Sequence, residues 1–277
     1  MKKKFQNAKL FFKEKGFLPL ILKIFNFFLK RFINKTLLIY LQKSDYKFQK
    51  IFLNRQITLS DDQNYYYLDP IPSSKELDDY YSNSYWDVFP TKIKGLSYRD
   101  IVHFNILKEY MINKIIKNNT FLNFGAGHGG LSHLMWSNNM HVINIEPSGL
   151  PNFYNNRWKT LQNIDQVETN SIDILYGSHS LEHVQNLENF KKEVKRVLKS
   201  DGYLFWEVPN AEKTEGDKEY PDIVIPHTFY FKKSFFKAWF SKTLLCETYN
   251  KLHNYNLENY CNVINNNGKI IRAIGQL

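Results

Sequence analysis

F-L-N-F-G-A-G-H-G-G at 121–130 reads as a strand core, a glycine-rich turn and the start of a helix. Glycines in such a turn lack the β-carbon that would keep a ligand away from the backbone. The helix N-terminus behind them favours a carboxylate or phosphate. The letters leave two cofactor classes open, because Gly125, Gly127 and Gly130 also satisfy the dinucleotide spacing. Glu146 narrows the reading. It stands 23 residues beyond Asn123, at the end of the strand read at 141–145, where one carboxylate can accept hydrogen bonds from both hydroxyls of a ribose. Gly125, Gly127, Gly129 and Glu146 together point to a ribose-bearing cofactor.

Outward from this stretch, strand and helix patterns alternate, which implies a parallel sheet with crossover helices. Strands are expected at 120–124, 141–145, 172–176 and 203–208, with helices at about 130–138 and 186–198. Asp201 and Gly202 are read as a tight stop ahead of the strand at 203–208. Residues 244–248 and 269–274 are strand-like on either side of the turn-rich N-N-N-G at 265–268, as in an antiparallel closing pair. Upstream, the spacing of Ile101, Phe104, Leu107, Met111 and Ile115 predicts a helix over 98–118. Pro70 and Pro72 mark a turn, with Ser73 and Ser74 capping a small helix from about Lys75. Three segments follow: a basic amphipathic helical arm (1–43), a connector or lid (44–97) and a Rossmann-like body (98–277).

Two further stretches, S-I-D-I-L-Y-G-S-H-S-L-E-H-V at 171–184 and K-R-V-L-K-S-D-G-Y-L-F-W-E-V-P-N at 195–210, closely resemble the strands that follow the glycine motif in class I methyltransferases. The resemblance runs from about 121 to 240. It implies an α/β Rossmann-like fold with a mostly parallel seven-stranded sheet whose last strand is antiparallel, plus a helical N-terminal extension, and S-adenosyl-L-methionine as cofactor. It further implies that Gly125, Gly127 and Gly129 wrap the methionine part, that Glu146 holds the ribose, and that Ser178 and His179 border the cofactor. Asn123 departs from the family, most members of which have Asp or Glu there; Asn brings an acceptor oxygen without charge. The lead-in L-D-P-I-P-S-S-K-E-L-D-D-Y-Y-S-N-S-Y-W at 68–86 resembles that of methyltransferases found with cell-surface polysaccharide and sugar-modifying enzymes. The expected acceptor is therefore a hydroxyl of a surface-glycan precursor, such as a nucleotide-linked sugar. A nicotinamide-dependent oxidoreductase would explain the glycines and Glu146 but not L-E-H-V. A scaffold with a decayed cofactor site would explain Asn123.

An alcohol acceptor must lose its proton, and a nearby histidine or carboxylate is the usual agent. His179 and His183 follow the strand at 172–176 at the carboxyl edge of the sheet, and His227 follows the next strand; these three are the candidate catalytic residues. For each, a hydrogen-bonded structural role stands beside the catalytic one. Tyr85, Trp86 and His227 are the candidate acceptor contacts, with Tyr81 beside them as a possible cover for the cofactor. His179 and His183, four apart, would suit a metal on one helix face, but the H-E-x-x-H order is missing and no metal is expected.

Composition removes other classes. Residues 1–50 carry 13 Lys and Arg against Glu14 and Asp45, leaving 24 basic and 25 acidic residues in 51–277 out of a net charge of +10. A body without basic excess is not a nucleic-acid groove. The chain is 43% hydrophobic and 16% aromatic, enough for a large core. Cys246 and Cys261 form no metal-type or paired spacing, which fits a reducing compartment. Charges at Lys9, Lys13, Glu14 and Lys15 interrupt any signal-like apolar run, and the apolar stretch at 17–29 is too short to cross a bilayer. A cytoplasmic protein is expected, its arm either packed on its own domain or a second copy in a homodimer, or lying peripherally on an anionic inner-membrane surface.

Overall fold

The computed structural model describes residues 51–83, 96–147, 157–212, 221–250 and 268–277. The chain divides into two units, 1–50 and 51–277, and all described residues belong to the second. The basic arm, Tyr85, Trp86 and Cys261 lie outside them.

Seven strands form the main sheet: β3 (Thr120–Phe124), β4 (His141–Ile145), β5 (Lys159–Leu161), β6 (Ile172–Ser178), β7 (Leu198–Pro209), β9 (Lys242–Tyr249) and β10 (Ile270–Gln276), in the order β5-β4-β3-β6-β7-β10-β9. All neighbours among the first five run parallel, whereas β10 is antiparallel to both β7 and β9. The expected closing pair is thus present, with β10 as the reversed strand. Strand order changes direction between β3 and β6, the place where open α/β sheets bind ligands beyond their carboxyl ends.

Both faces of the sheet are covered, because successive strand residues point to opposite sides. Phe121, Ile174 and Phe205 pack on one side with Val102, Leu107 and Met111 of helix α2 (Tyr98–Met111) and Leu131 and Met135 of α3 (Gly130–Ser137). Their chain neighbours Leu122, Leu175 and Trp206 pack on the other with Phe190 and Val194 of α4 (Leu187–Val197) and Phe235 and Phe236 of α5 (Lys233–Trp239). A capping box starts α2: the Ser97 side chain accepts from the Asp100 amide, and the Asp100 carboxylate accepts from the Ser97 amide.

Three expectations change. Helix α2 ends at Met111, short of 118, through a tightened turn in which the Lys114 amide donates to the Met111 carbonyl; the I-N-K-I-I-K-N-N that follows is rich in residues of weak helix propensity. Asp201 and Gly202 do not break the chain but lie inside β7, where a register shift against β6 absorbs them. The segment before the small helix α1 (Ser74–Asn83) holds a hairpin of β1 (Gln56–Leu59) and β2 (Tyr65–Asp69), and β2 pairs antiparallel with β8 (Phe229–Phe231). The Ser60 hydroxyl shapes its turn by accepting from the amides of Asn64 and Tyr65.

Candidate active site

The carboxyl ends of β3, β4 and β6 converge on a cavity of about 260 Å³ whose walls include Tyr81, Arg99, Gly125, Gly127, Glu146, Ser178, His179, Ser180 and His183. The glycine turn is tied to β4, since the amides of Gly125 and Ala126 both donate to the Ile145 carbonyl. Gly125 has φ +71°, and a β-carbon there would come within 2.6 Å of Ser180 Cβ; the turn and the 178–180 loop touch only because this residue has no side chain. Gly127, at φ +51°, has nothing within 4 Å of where a β-carbon would stand. Its amide donates to Glu146 Oε2 at 2.7 Å, so the two expected cofactor residues are already coupled.

Asn123 and Gly129 are both buried. Asn123 Nδ2 donates to Ser132 Oγ at 2.9 Å, and Ser132 Oγ donates in turn to Asn144 Oδ1 at 2.7 Å. An uncharged amide can join this buried hydroxyl and amide chain without the desolvation cost of a carboxylate. Gly129 caps α3 in the left-handed region, at φ +76°, with no side-chain bond to the first-turn amides.

His179 leaves β6 with φ +52°, a conformation that costs a non-glycine residue roughly 1 kcal/mol or more and that recurs at functional sites. Its amide donates to the Glu207 carbonyl. Its ring lies between two buried carboxylates, Nδ1 at 3.4 Å from Glu182 Oε1 and Nε2 at 3.9 Å from Glu207 Oε1, with the side chain 27% exposed. His183 does not share a helix face with His179, because Leu181–His183 is a single 3-10 turn. Its Nδ1 lies 3.3 Å from the Pro226 carbonyl, and its ring meets Tyr81 and His227 edge-on. His227 lines a neighbouring cavity of about 370 Å³ together with Asn210, Asp222, Tyr230 and Lys269, and its Nε2 is 4.0 Å from Glu182 Oε1. Burial pushes the His227 imidazole down to about 3, against the opposing pull of Glu182, and burial likewise lowers His183. Burial works to raise Glu182, but it is held below the usual carboxylate range, chiefly by the adjoining His179.

A buried polar group beneath the cavity was not anticipated from the sequence. His103 of α2 is fully buried, with Nδ1 2.7 Å from the Tyr176 hydroxyl and Nε2 2.8 Å from Glu207 Oε2. Arg272 of β10 donates to the same oxygen through Nε and Nη2, and Ser178 Oγ donates to Glu207 Oε1. The strand register explains the meeting, since Ser178, Glu207 and Arg272 lie side by side across β6, β7 and β10. The signal available was a charged residue inside each of three apolar runs: V-H-F, F-W-E-V and I-I-R-A-I.

Burial lowers the pKa of His103 below its ordinary 6.5 although Glu207 works the other way. The folded protein therefore holds His103 neutral while the unfolded chain takes up a proton below pH 6.5, so stability falls as pH drops through that value. The slope is at most about 1.4 kcal/mol per pH unit for this group. Glu207, held well below 4.5 by His103 and Arg272 in spite of its burial, adds loss of the same sign below pH 4.5. Urea unfolding of the wild type and His103→Asn at about pH 7.5 and 5.5 checks this; the variant is expected to show the shallower fall.

Comparison with known proteins agrees with this architecture. Residues 97–243 match the family model described as a methyltransferase domain, and the chain belongs to that family. It is a methyltransferase with S-adenosylmethionine as cofactor; the oxidoreductase reading is thereby set aside. No curated protein matches the chain. Among solved structures, it is similar to a protein from Pyrococcus horikoshii OT3 (18% identity, TM-score 0.48, covering 70% of this chain and 98% of that one). An S-adenosylmethionine-dependent methyltransferase from Clostridium acetobutylicum ATCC 824 shows 12% identity and TM-score 0.47 over 70% and 96%. One from Archaeoglobus fulgidus shows 15% and 0.46 over 70% and 100%.

The residues fit that cofactor. Gly127 presents open backbone, and Glu146 stands at the wall. Ser180 Oγ and His179 Nε2 are buried atoms of the cavity lining with no hydrogen-bond partner among the described residues. Such atoms are costly unless a ligand or water satisfies them.

Proposed function

We propose that the protein methylates a hydroxyl oxygen of a small acceptor, a sugar or related precursor of a bacterial surface glycan such as a nucleotide-linked sugar. One observation carries the hydroxyl reading: His179 stands in the cavity wall with a buried carboxylate facing each ring nitrogen. The bound cofactor supplies an activated methyl group on a sulfonium with its own leaving group, so what remains for the protein is alignment and removal of the acceptor proton. Glu182 faces Nδ1 and orients the ring, and Nε2, which has no hydrogen-bond partner among the described residues, is the atom assigned to take that proton. His227, pushed down to about 3, and His183, lowered by the same cause, are poor bases. Gly125, Gly127 and Gly129 are assigned to the methionine part of the cofactor, Glu146 to its ribose, and Ser178 to support of Glu207.

The acceptor class rests on two supports. The lead-in at 68–86 resembles that of glycan-modifying methyltransferases. The cavity beside His227 adds hydrogen-bonding groups on Asn210, Asp222, Tyr230 and Lys269, which suit a polyhydroxylated ligand. Among the described residues no helix is long and apolar enough to cross a membrane. The test is an acceptor panel of nucleotide-linked sugars, sugar phosphates and primary amines with S-adenosylmethionine, followed by S-adenosylhomocysteine release and by mass and NMR analysis of products. A methyl ether on a sugar hydroxyl is the expected product. Methylated amines with no sugar product would overturn the reading.

A further inference from the structure

We propose that Glu182, His183 and His227 form a binding site for one divalent first-row transition ion, which holds the acceptor oxygen beside His179. One ligand atom from each of the three residues lies within 4.8 Å of the others. Ligands about 2 Å from a shared zinc-type ion stand about 3–4 Å apart, so small side-chain rotations complete the set. Two imidazoles with one carboxylate favour this class of ion over magnesium or calcium, which prefer oxygen cages.

The carboxylate supplies an independent pointer. Glu182 is 1% exposed, and neither of its oxygens accepts a hydrogen bond among the described residues, although His179 Nδ1 at 3.4 Å and His227 Nε2 at 4.0 Å face Oε1. A buried carboxyl group is costly unless it is paired, hydrogen-bonded or coordinating a metal. The surrounding bonds hold together the backbone segments that carry the three side chains. Thr228 donates to the Glu182 carbonyl through its amide at 2.8 Å and its hydroxyl at 3.0 Å, and its hydroxyl also reaches the Val184 carbonyl at 2.7 Å. This clamp fixes residue 227 against 182–184. His183 Nδ1, beside the Pro226 carbonyl, is placed to donate to it, which leaves the Nε2 lone pair for a ligand, the arrangement typical of metal-bound imidazoles. His183 also borders the cofactor cavity and His227 the neighbouring one, so open coordination positions would face the place where cofactor and acceptor meet. The expectation of no metal considered His179 and His183 alone; the third ligand comes from 44 residues further along the chain.

Ion binding is independent of the acceptor; only the ion's role, lowering the pKa of a bound hydroxyl, rests on the hydroxyl reading. The test uses the full chain freed of metal with a chelator and titrated with Co²⁺ by visible absorption and with Zn²⁺ by calorimetry. S-adenosylhomocysteine binding is measured separately on each sample. One equivalent of ion is expected, with Glu182→Gln and His227→Gln each weakening uptake by about tenfold or more while S-adenosylhomocysteine still binds. No stoichiometric uptake, or equal uptake by both variants, overturns the site. Loss of cofactor binding with ion uptake intact would instead count against the cofactor assignment. Full methyl-ether formation after metal removal would overturn the ion's role in the reaction.

Discussion

Glu207→Leu is expected to lower the free energy of unfolding by about 3–5 kcal/mol, the range seen when one partner of a buried ion pair is removed. Glu207 is fully buried and Arg272 is 7% exposed, so the variant leaves a guanidinium in the core facing an apolar side chain. It also deprives His103 of the acceptor at Nε2 and Ser178 of its contact. Urea unfolding followed by circular dichroism reads the loss. The double variant Glu207→Leu/Arg272→Met, which removes both charges, is expected to recover more than half of it, because an apolar pair can replace a buried ion pair at little cost. A single-variant loss below about 1 kcal/mol would place the pair in the range of exposed bridges and refute its structural weight.

The second large effect belongs to catalysis. His179→Ala is expected to reduce kcat by about 10²–10⁴, the contribution of a positioned general base. Its left-handed backbone makes alanine an imperfect control, so His179→Asn, which tolerates this conformation better, is measured beside it. Unchanged kcat in both variants would shift the role of base to another group of the cavity.

Much of the sheet was legible because its signals are local. The glycine turn at 125–129 and the strand at 141–145 are short-range patterns, and the observed strand matches the expected bounds. Asp201 and Gly202 are a turn-like pair in sequence, but the pairing of β7 with β6 accommodates both within one strand. The hairpin at 56–69 shows its β-branched and aromatic runs around D-D-Q-N, yet its placement depends on pairing with β8, more than 150 residues away in sequence. The site divides in the same way. That Gly125, Gly127, Glu146 and His179 share one cavity wall was legible because each sits at the end of a strand with a recognisable neighbour. Glu207 and the grouping of Glu182, His183 and His227 were not, since their meaning lies in cross-strand register and in the Thr228 clamp. Asn123, which departs from the family's usual acid, binds Ser132, nine residues on, through Nδ2, while its Oδ1 is buried without a hydrogen-bond partner among the described residues.

The central claim, that the cavity bounded by Gly125, Gly127 and Glu146 is the cofactor site, is tested most directly by calorimetric titration of S-adenosylhomocysteine into the wild type and Glu146→Ala. Saturable one-site binding by the wild type is predicted, weakened in the variant by about 1–3 kcal/mol, or roughly 5- to 150-fold. No binding by the wild type, or equal affinity in the two proteins, would contradict it.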